Sequence, residues 1–298
     1  MTNEPTLGFT LSPQSAGIDF VHGYLVDIKE RFPKAKTLVS TLQVNNGSKD
    51  PRVKDNPAIT FATACNERQD LVARAYILLG AARTFELDYL FFNFGLKRYD
   101  VDTLSMFAKN SIEQFPYTDL VIGEPPILRS APSTEELKAL QNQKVRQRLL
   151  VDILINYILC RSLGIGFINM NAGIFRLNLS NKEVLRTLAS VHDYYDSSLV
   201  CSQIAWHLKN SGFVIKSIPV GKIHLGELGF KLDKAVQEIA FIIKMIAYKF
   251  GGDHIPLRSI ISDFLNEKEY WNRWVEKNRD GNWLLDVVVP RVEKITSL

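Results

Sequence analysis

Apolar positions along this chain follow two periods that alternate. Short apolar or β-branched runs at Thr6–Ser12 (containing GFTLS), Lys36–Val44 (KTLVSTLQV), Ala58–Ala64 (AITFATA) and Leu87–Phe94 have the length and composition of buried strands. Between them, Ile18–Arg31 carries Phe20, Val21, Tyr24, Leu25 and Ile28 at helical spacing, and Asp70–Arg83 reads as a second helix. Pro13, the turn Asn45-Asn46-Gly47-Ser48 and the break at Asn93-Phe94-Gly95 end three of the strands.

The second half keeps the alternation more loosely. Asp102–Gln114 is a helix, and Thr118–Ile122 is a short strand that runs into Gly123-Glu124-Pro125-Pro126. Thr134–Leu163 is mostly helical, followed by Phe167–Leu177, and Val184–Val191 and Ser198–Asn210 are helices. Phe213–Val220 is a strand with Pro219 near its end, and Leu232–Phe250 is a long helix closed by Gly251-Gly252. From Ile255 the tail is helical and aromatic. Strands alternating with helices predict an α/β fold with a mainly parallel sheet. Right-handed crossovers would bring the strand ends at Pro13, Asn45 and Asn93 to one rim.

Composition narrows the class. With 298 residues, 46% of them hydrophobic, the chain can bury one or two large cores. A net charge of +4 is too small to indicate nucleic acid unless it is clustered. The basic group Lys144-Val145-Arg146-Gln147-Arg148 reads as a solvated helix face. Cys65, Cys160 and Cys201 are widely spaced, which suits buried thiols in a reducing compartment. No basic-then-apolar leader opens the sequence, and no uncharged apolar run reaches about 18 residues. The expectation is a cytoplasmic protein without a transmembrane segment. The nearest approach, IAFIIKMIAY, is broken by Lys244 and reads as a packing helix. Peripheral membrane contact would need an exposed apolar patch there.

The order of motifs resembles the family-2 glycosyltransferases of the GT-A fold, in particular the dolichyl-phosphate mannose synthase type. QVNNGSKD at Gln43–Asp50 resembles the family's VDDGSxD, and DYLFFNFG resembles its strand ending in Asp-x-Asp. TDLVIGEPPILR at Thr118–Arg129 is similar to the aDvviGsR strand, and NMNAGIFR at Asn169–Arg176 to the DxxSGFR element. Tyr194–Val220 follows the family's acidic helix start, helix and strand, and Gly229-Phe230-Lys231 echoes a G.SK loop. The resemblance runs in unbroken order from Thr6 to Lys234. It implies a GT-A-like, mostly parallel sheet flanked by helices over residues 1–230, with a helical extension over 231–298 packed on it. It also implies donor-binding positions at Pro13, Asn45, Asn46, Asn93, Gly95 and Lys231. Asn169, Asn171 and Arg176 would lie on the acceptor side, with Asp196 or Asp193 as the catalytic base.

The departures from the family share a pattern. Its second-strand acid is Asn45 or Asn46 here, its metal-binding acids are Asn93 and Gly95, and its acceptor-side acid is Asn169. An Asn carbonyl can accept a base N–H as a carboxylate does. A neutral amide is a poor ligand for Mg²⁺ or Mn²⁺, so no metal and no cofactor are expected, although either ion would be usual for the family. Asp100-Val101-Asp102 is a literal Asp-x-Asp, but its position reads as a helix cap. Asp196 equally suits a cap on the helix near Ser198, and Lys222, His224 and Lys231 suit either a diphosphate site or a solvated loop. His22 and His207 read as packing or surface residues.

The expected function is that of a glycosyltransferase-like protein taking a nucleotide-diphosphate sugar, with a weakened or metal-independent donor site. The alternative is a catalytically inactive GT-A-like protein acting as a sugar or nucleotide binder or a structural partner. A nucleotidyltransferase relative is a third reading, and it normally needs the same missing carboxylates.

Overall fold

The computed structural model describes residues 4–11, 18–42, 56–65, 79–93, 99–124, 133–163, 174–190, 200–221, 230–249, 256–266 and 275–296. Its strands are β1 (Leu7–Leu11), β2 (Lys36–Leu42), β3 (Phe61–Cys65), β4 (Tyr89–Asn93), β5 (Leu120–Glu124), β6 (Ile174–Asn178) and β7 (Ile215–Pro219). Its helices are α1 (Ile18–Arg31), α2 (Val101–Gln114), α3 (Thr134–Ala139), α4 (Gln143–Leu163), α5 (Lys182–Ala189), α6 (Val200–Asn210), α7 (Leu232–Lys249), α8 (Leu257–Asn266) and α9 (Val289–Thr296).

The chain forms two compact units, Met1–Glu124 with Met170–Lys222, and Pro125–Asn169 with Ile223–Leu298. The chain leaves the sheet unit after β5 and returns before β6, and α4 packs against α7 in the second unit.

One seven-stranded sheet, ordered β3-β2-β1-β4-β6-β5-β7, forms the first unit. β1, β2, β3 and β4 are mutually parallel, β5 and β7 are parallel, and β6 runs antiparallel to both β4 and β5. The mostly parallel α/β sheet read from the sequence is therefore present. β1, β4 and β5 are near-continuous apolar runs buried on both faces, as strands inside a mostly parallel sheet are. On one face Phe9 stacks on Phe91 at 4.9 Å, Phe32 packs against Phe9 at 5.0 Å, and Phe107 of α2 meets Phe91 edge-on at 6.3 Å. On the other, Phe92 stacks on Phe175 at 4.7 Å. Each such ring, out of water, stabilises the fold by about 1.5–3 kcal/mol.

Two acids tie the amino edge of the sheet together. Asp88 accepts from the Thr6 N–H at 2.7 Å and the Ser180 hydroxyl at 3.0 Å. Asp119 accepts from the Asn181 side-chain amide at 2.8 Å and the Val214 N–H at 2.9 Å. The helical segment 79–84 turns into β4 through Glu86, whose φ of 51° is left-handed. A bond from the Leu87 N–H to the Ala82 carbonyl at 3.1 Å closes that helix end. Glycine is the usual residue there, and a side chain costs about 1–2 kcal/mol.

The second unit is helical, as the sequence tail predicts. α4 and α7 are clamped by Arg148, which bonds Asp152 at 2.6 Å and Glu238 at 3.0 Å. Burial acts to lower the Arg148 pKa, but the two carboxylates outweigh it and raise the value, so the guanidinium stays charged. Arg146 forms a buried bidentate pair with Asp280, which lies in the short helical segment Lys277–Gly281. The basic group expected to be a solvated face is thus corrected: Arg146 and Arg148 point inward because carboxylates on other elements meet them. No helix among the described residues is long and apolar enough to cross a membrane.

Candidate functional site

Parallel pairing decides which strand ends share an edge. Leu11, the last residue of β1, stands opposite Asn93, the last of β4, and opposite Val39 of β2. β2 runs three residues further, to Leu42, which pairs with Cys65 at the end of β3. The reversed β6 begins at this same edge, with Ile174 opposite Asn93. β5 and β7 end there as well, with Glu124 opposite Pro219. A carboxyl edge of this kind is where open α/β sheets bind ligands.

Close packing tightens the right-hand part of this edge. A Cβ on Gly123 would lie 2.6 Å from Val220 Cγ1 and 2.7 Å from Ile174 Cγ1, so only glycine lets these strand ends approach. One on Gly221 would lie 3.1 Å from Thr103 Oγ1, which places the end of β7 beside the start of α2. The Tyr24 hydroxyl of α1 donates to the Tyr99 carbonyl at 3.1 Å, fixing the approach to α2.

The Asp-x-Asp of the sequence behaves as expected of a cap. Asp100 accepts the Thr103 N–H at 2.7 Å, and Asp102 pairs with Arg31 at 2.5 Å with 76% of its side chain exposed. The positive end of α2 therefore already faces a carboxylate. Asn93 is the last residue of β4. Among the described residues, no group of three or more His, Cys, Asp or Glu side chains is placed to hold a metal ion.

Arg176, expected on the acceptor side, is fully buried in the middle of β6. Its guanidinium donates to the carbonyls of Ser111 at 2.6 Å, Phe115 at 2.9 Å and Thr118 at 2.6 Å. Burial lowers its pKa to about 10, against the opposing pull of Tyr89 and Asp119, so it is still cationic at neutral pH. A cation at the carbonyl end of α2 complements the helix dipole. Its geometry is that of a core clamp.

Lys231 is exposed at the start of α7, in the helical unit, where its carbonyl accepts the Ala235 N–H at 3.1 Å. Pro13, Asn45, Asn46, Gly95, Asn169, Asn171, Asp193 and Asp196 lie outside the described residues, as do Lys222 and His224. Sequence reasoning passed over Glu124. It closes β5 with 1% exposure and has interactions of its own, a carboxylate held out of water at the carboxyl edge of the sheet. Its only sequence signal was an acid at the end of an apolar strand.

No protein-family model matches this sequence, and no curated protein matches it. Several solved structures are similar at low identity. A mannosyltransferase from Pyrobaculum calidifontis in complex with GDP-Man and Mn²⁺ is 10% identical, with a TM-score of 0.47, over 98% of this chain and 74% of that one. S. aureus TarS residues 1–349 in complex with UDP-GlcNAc is 10% identical, with a TM-score of 0.42, over 98% and 78%. A CMP:2-keto-3-deoxy-manno-octonic acid synthetase complexed with CTP is 11% identical, with a TM-score of 0.43, over 82% of this chain and 98% of that one.

Proposed function

We propose that this chain is a glycosyltransferase-like protein of the GT-A type that takes a nucleotide-diphosphate sugar at the carboxyl edge of β1, β2 and β4, without a carboxylate-bound cation. The observation that carries the reading is the parallel register of Leu11 with both Asn93 and Val39. β1 and β4 thus end level with each other and β2 ends three residues further on, and the motif residues Pro13, Asn45, Asn46 and Gly95 follow those ends within four positions in sequence. In this reading Asn45 and Asn46 read the base, and Asn93 contacts the donor as an uncharged amide. Asp196 or Asp193 takes the acceptor proton.

A second reading, a GT-A-like binder without turnover, is favoured by one feature. The amide at Asn93 and the engagement of Asp100 and Asp102 leave little to stabilise a leaving diphosphate. Thermal unfolding with uridine and guanosine diphosphate sugars tests the common part of both. A ligand at 100 times its Kd should stabilise the native state by about 2.7 kcal/mol, and EDTA should leave that shift unchanged. No shift with any such sugar would sink the donor site, and a shift abolished by EDTA would refute metal independence.

A further inference from the structure

The sheet unit has a second concavity at the opposite, amino edge of its strands. It lies between the helical segment 79–84 with the turn into β4 and the start of α5 after β6. Its volume is about 600 Å³, within the range of small-molecule sites. The floor is hydrocarbon: Leu79, Ala82, Leu87 and Leu179 are buried, and Leu185 is half-exposed.

The rim is charged and unbalanced. Arg186 is answered by Glu183 at 2.8 Å on the same helix. Arg83 and Lys182 are exposed and have no ion pair among the described residues. Against those two cations stands one carboxylate, Glu86, held at the lip by its left-handed backbone. One positive charge is therefore in excess above an apolar floor. This charge pattern suits a monoanion with a hydrocarbon body. A dianionic phosphate would meet Glu86 with more repulsion, and a cation would meet Arg83 and Lys182.

We propose that this groove binds a free alkyl carboxylate of the fatty-acid class, with the chain on the leucine floor and the carboxylate at the rim bearing Arg83 and Lys182. The groove is at the strand ends opposite the carboxyl edge, so binding here does not depend on the donor-site reading.

Isothermal titration of the full chain with octanoate, decanoate and dodecanoate, each below its micelle concentration, tests this. Affinity should rise about fourfold per added methylene and level off once the floor is covered. Decyltrimethylammonium should not bind, and acetate should not displace decanoate. Arg83→Ala with Lys182→Ala, both at exposed positions, should weaken decanoate at least tenfold while leaving nucleotide-sugar binding unchanged. Leu185→Glu should abolish decanoate binding. The proposal is overturned by equal binding of decyltrimethylammonium, by tighter binding of decyl phosphate than of decanoate, or by unchanged affinity in the double variant. Failure of the donor site would show instead as loss of nucleotide-sugar binding with decanoate intact.

Discussion

The guanidinium carbon of Arg176 lies 4.7 Å from the centre of the Tyr89 ring, and the Tyr89 hydroxyl donates to the Pro116 carbonyl at 2.9 Å. Both side chains thus hold the last turn of α2 and the turn after it, one through three carbonyls and the other through a fourth. Arg176→Met keeps most of the volume but removes the donors. It should destabilise the protein by about 2–4 kcal/mol, with Arg176→Lys falling between. The urea midpoint reads this at unchanged m. A Met variant as stable as the parent would reopen an acceptor-side role for Arg176.

In the helical unit, Arg146 and Asp280 are 10% and 7% exposed, so each depends on the other for charge compensation. Asp280→Ala should cost about 3–5 kcal/mol, because it leaves a buried guanidinium. Glu276, 3.8 Å from Arg146 and 63% exposed, would recover part of that. Arg146→Met with Asp280→Leu should be closer to the parent than either single change. An additive double-mutant cycle would show that the pair is not coupled.

The two aspartates of the Asp-x-Asp should separate cleanly. Asp100→Ala removes an N-cap and should cost about 1 kcal/mol. Asp102→Asn touches an exposed pair and should change stability by less than about 0.5 kcal/mol. Neither should alter manganese binding measured by titration calorimetry. Manganese held by both residues in anomalous scattering would contradict the capping assignment.

Turnover tests the proposed donor site without a carboxylate-bound cation. Metal stabilisation of a leaving diphosphate is worth several kcal/mol, so its loss slows transfer by about a thousandfold or more. Uridine and guanosine diphosphate sugars should be turned over very slowly or not at all, with or without manganese. Asn93→Asp with Gly95→Asp should create manganese binding before it creates activity. Robust metal-independent transfer by the parent protein, lost in Asp196→Asn, would establish a working enzyme.

His207 on α6 gives a pH dependence. Burial lowers its pKa below the ordinary value of 6.5. The unfolded chain therefore takes up a proton at about pH 6.5 that the folded chain resists. Its stability contribution is full above that pH and falls as the pH drops through 6.5 toward the folded value. The loss is at most about 1.4 kcal/mol per pH unit, and less because the ring is only half-buried. Melting temperatures from pH 8 to 5 should fall less steeply in His207→Gln than in the parent.

Much of the local structure was legible in the sequence because it depends on near neighbours. The helical period of Ile18–Arg31 has the bounds of α1, and the acid at Asp100 caps α2 through a bond three residues away. The aromatic run before Asn93 is β4, buried because both faces of a mostly parallel sheet are covered. These features rest on periodicity, capping and strand composition, which a linear reading contains.

What only the tertiary structure decided involves partners far apart in the chain. Ile174–Asn178 enters the sheet antiparallel between β4 and β5, with register partners at least 81 and 53 positions earlier in the chain. Arg176 looked like a binding residue, yet its acceptors are carbonyls 58 to 65 residues away. Arg146 and Arg148 looked like a wet basic face, but Asp280 and Glu238 draw them inward. A charged side chain does not reveal in sequence whether water or a distant carboxylate will meet it. That depends on desolvation and pairing, which exist only once the chain has folded.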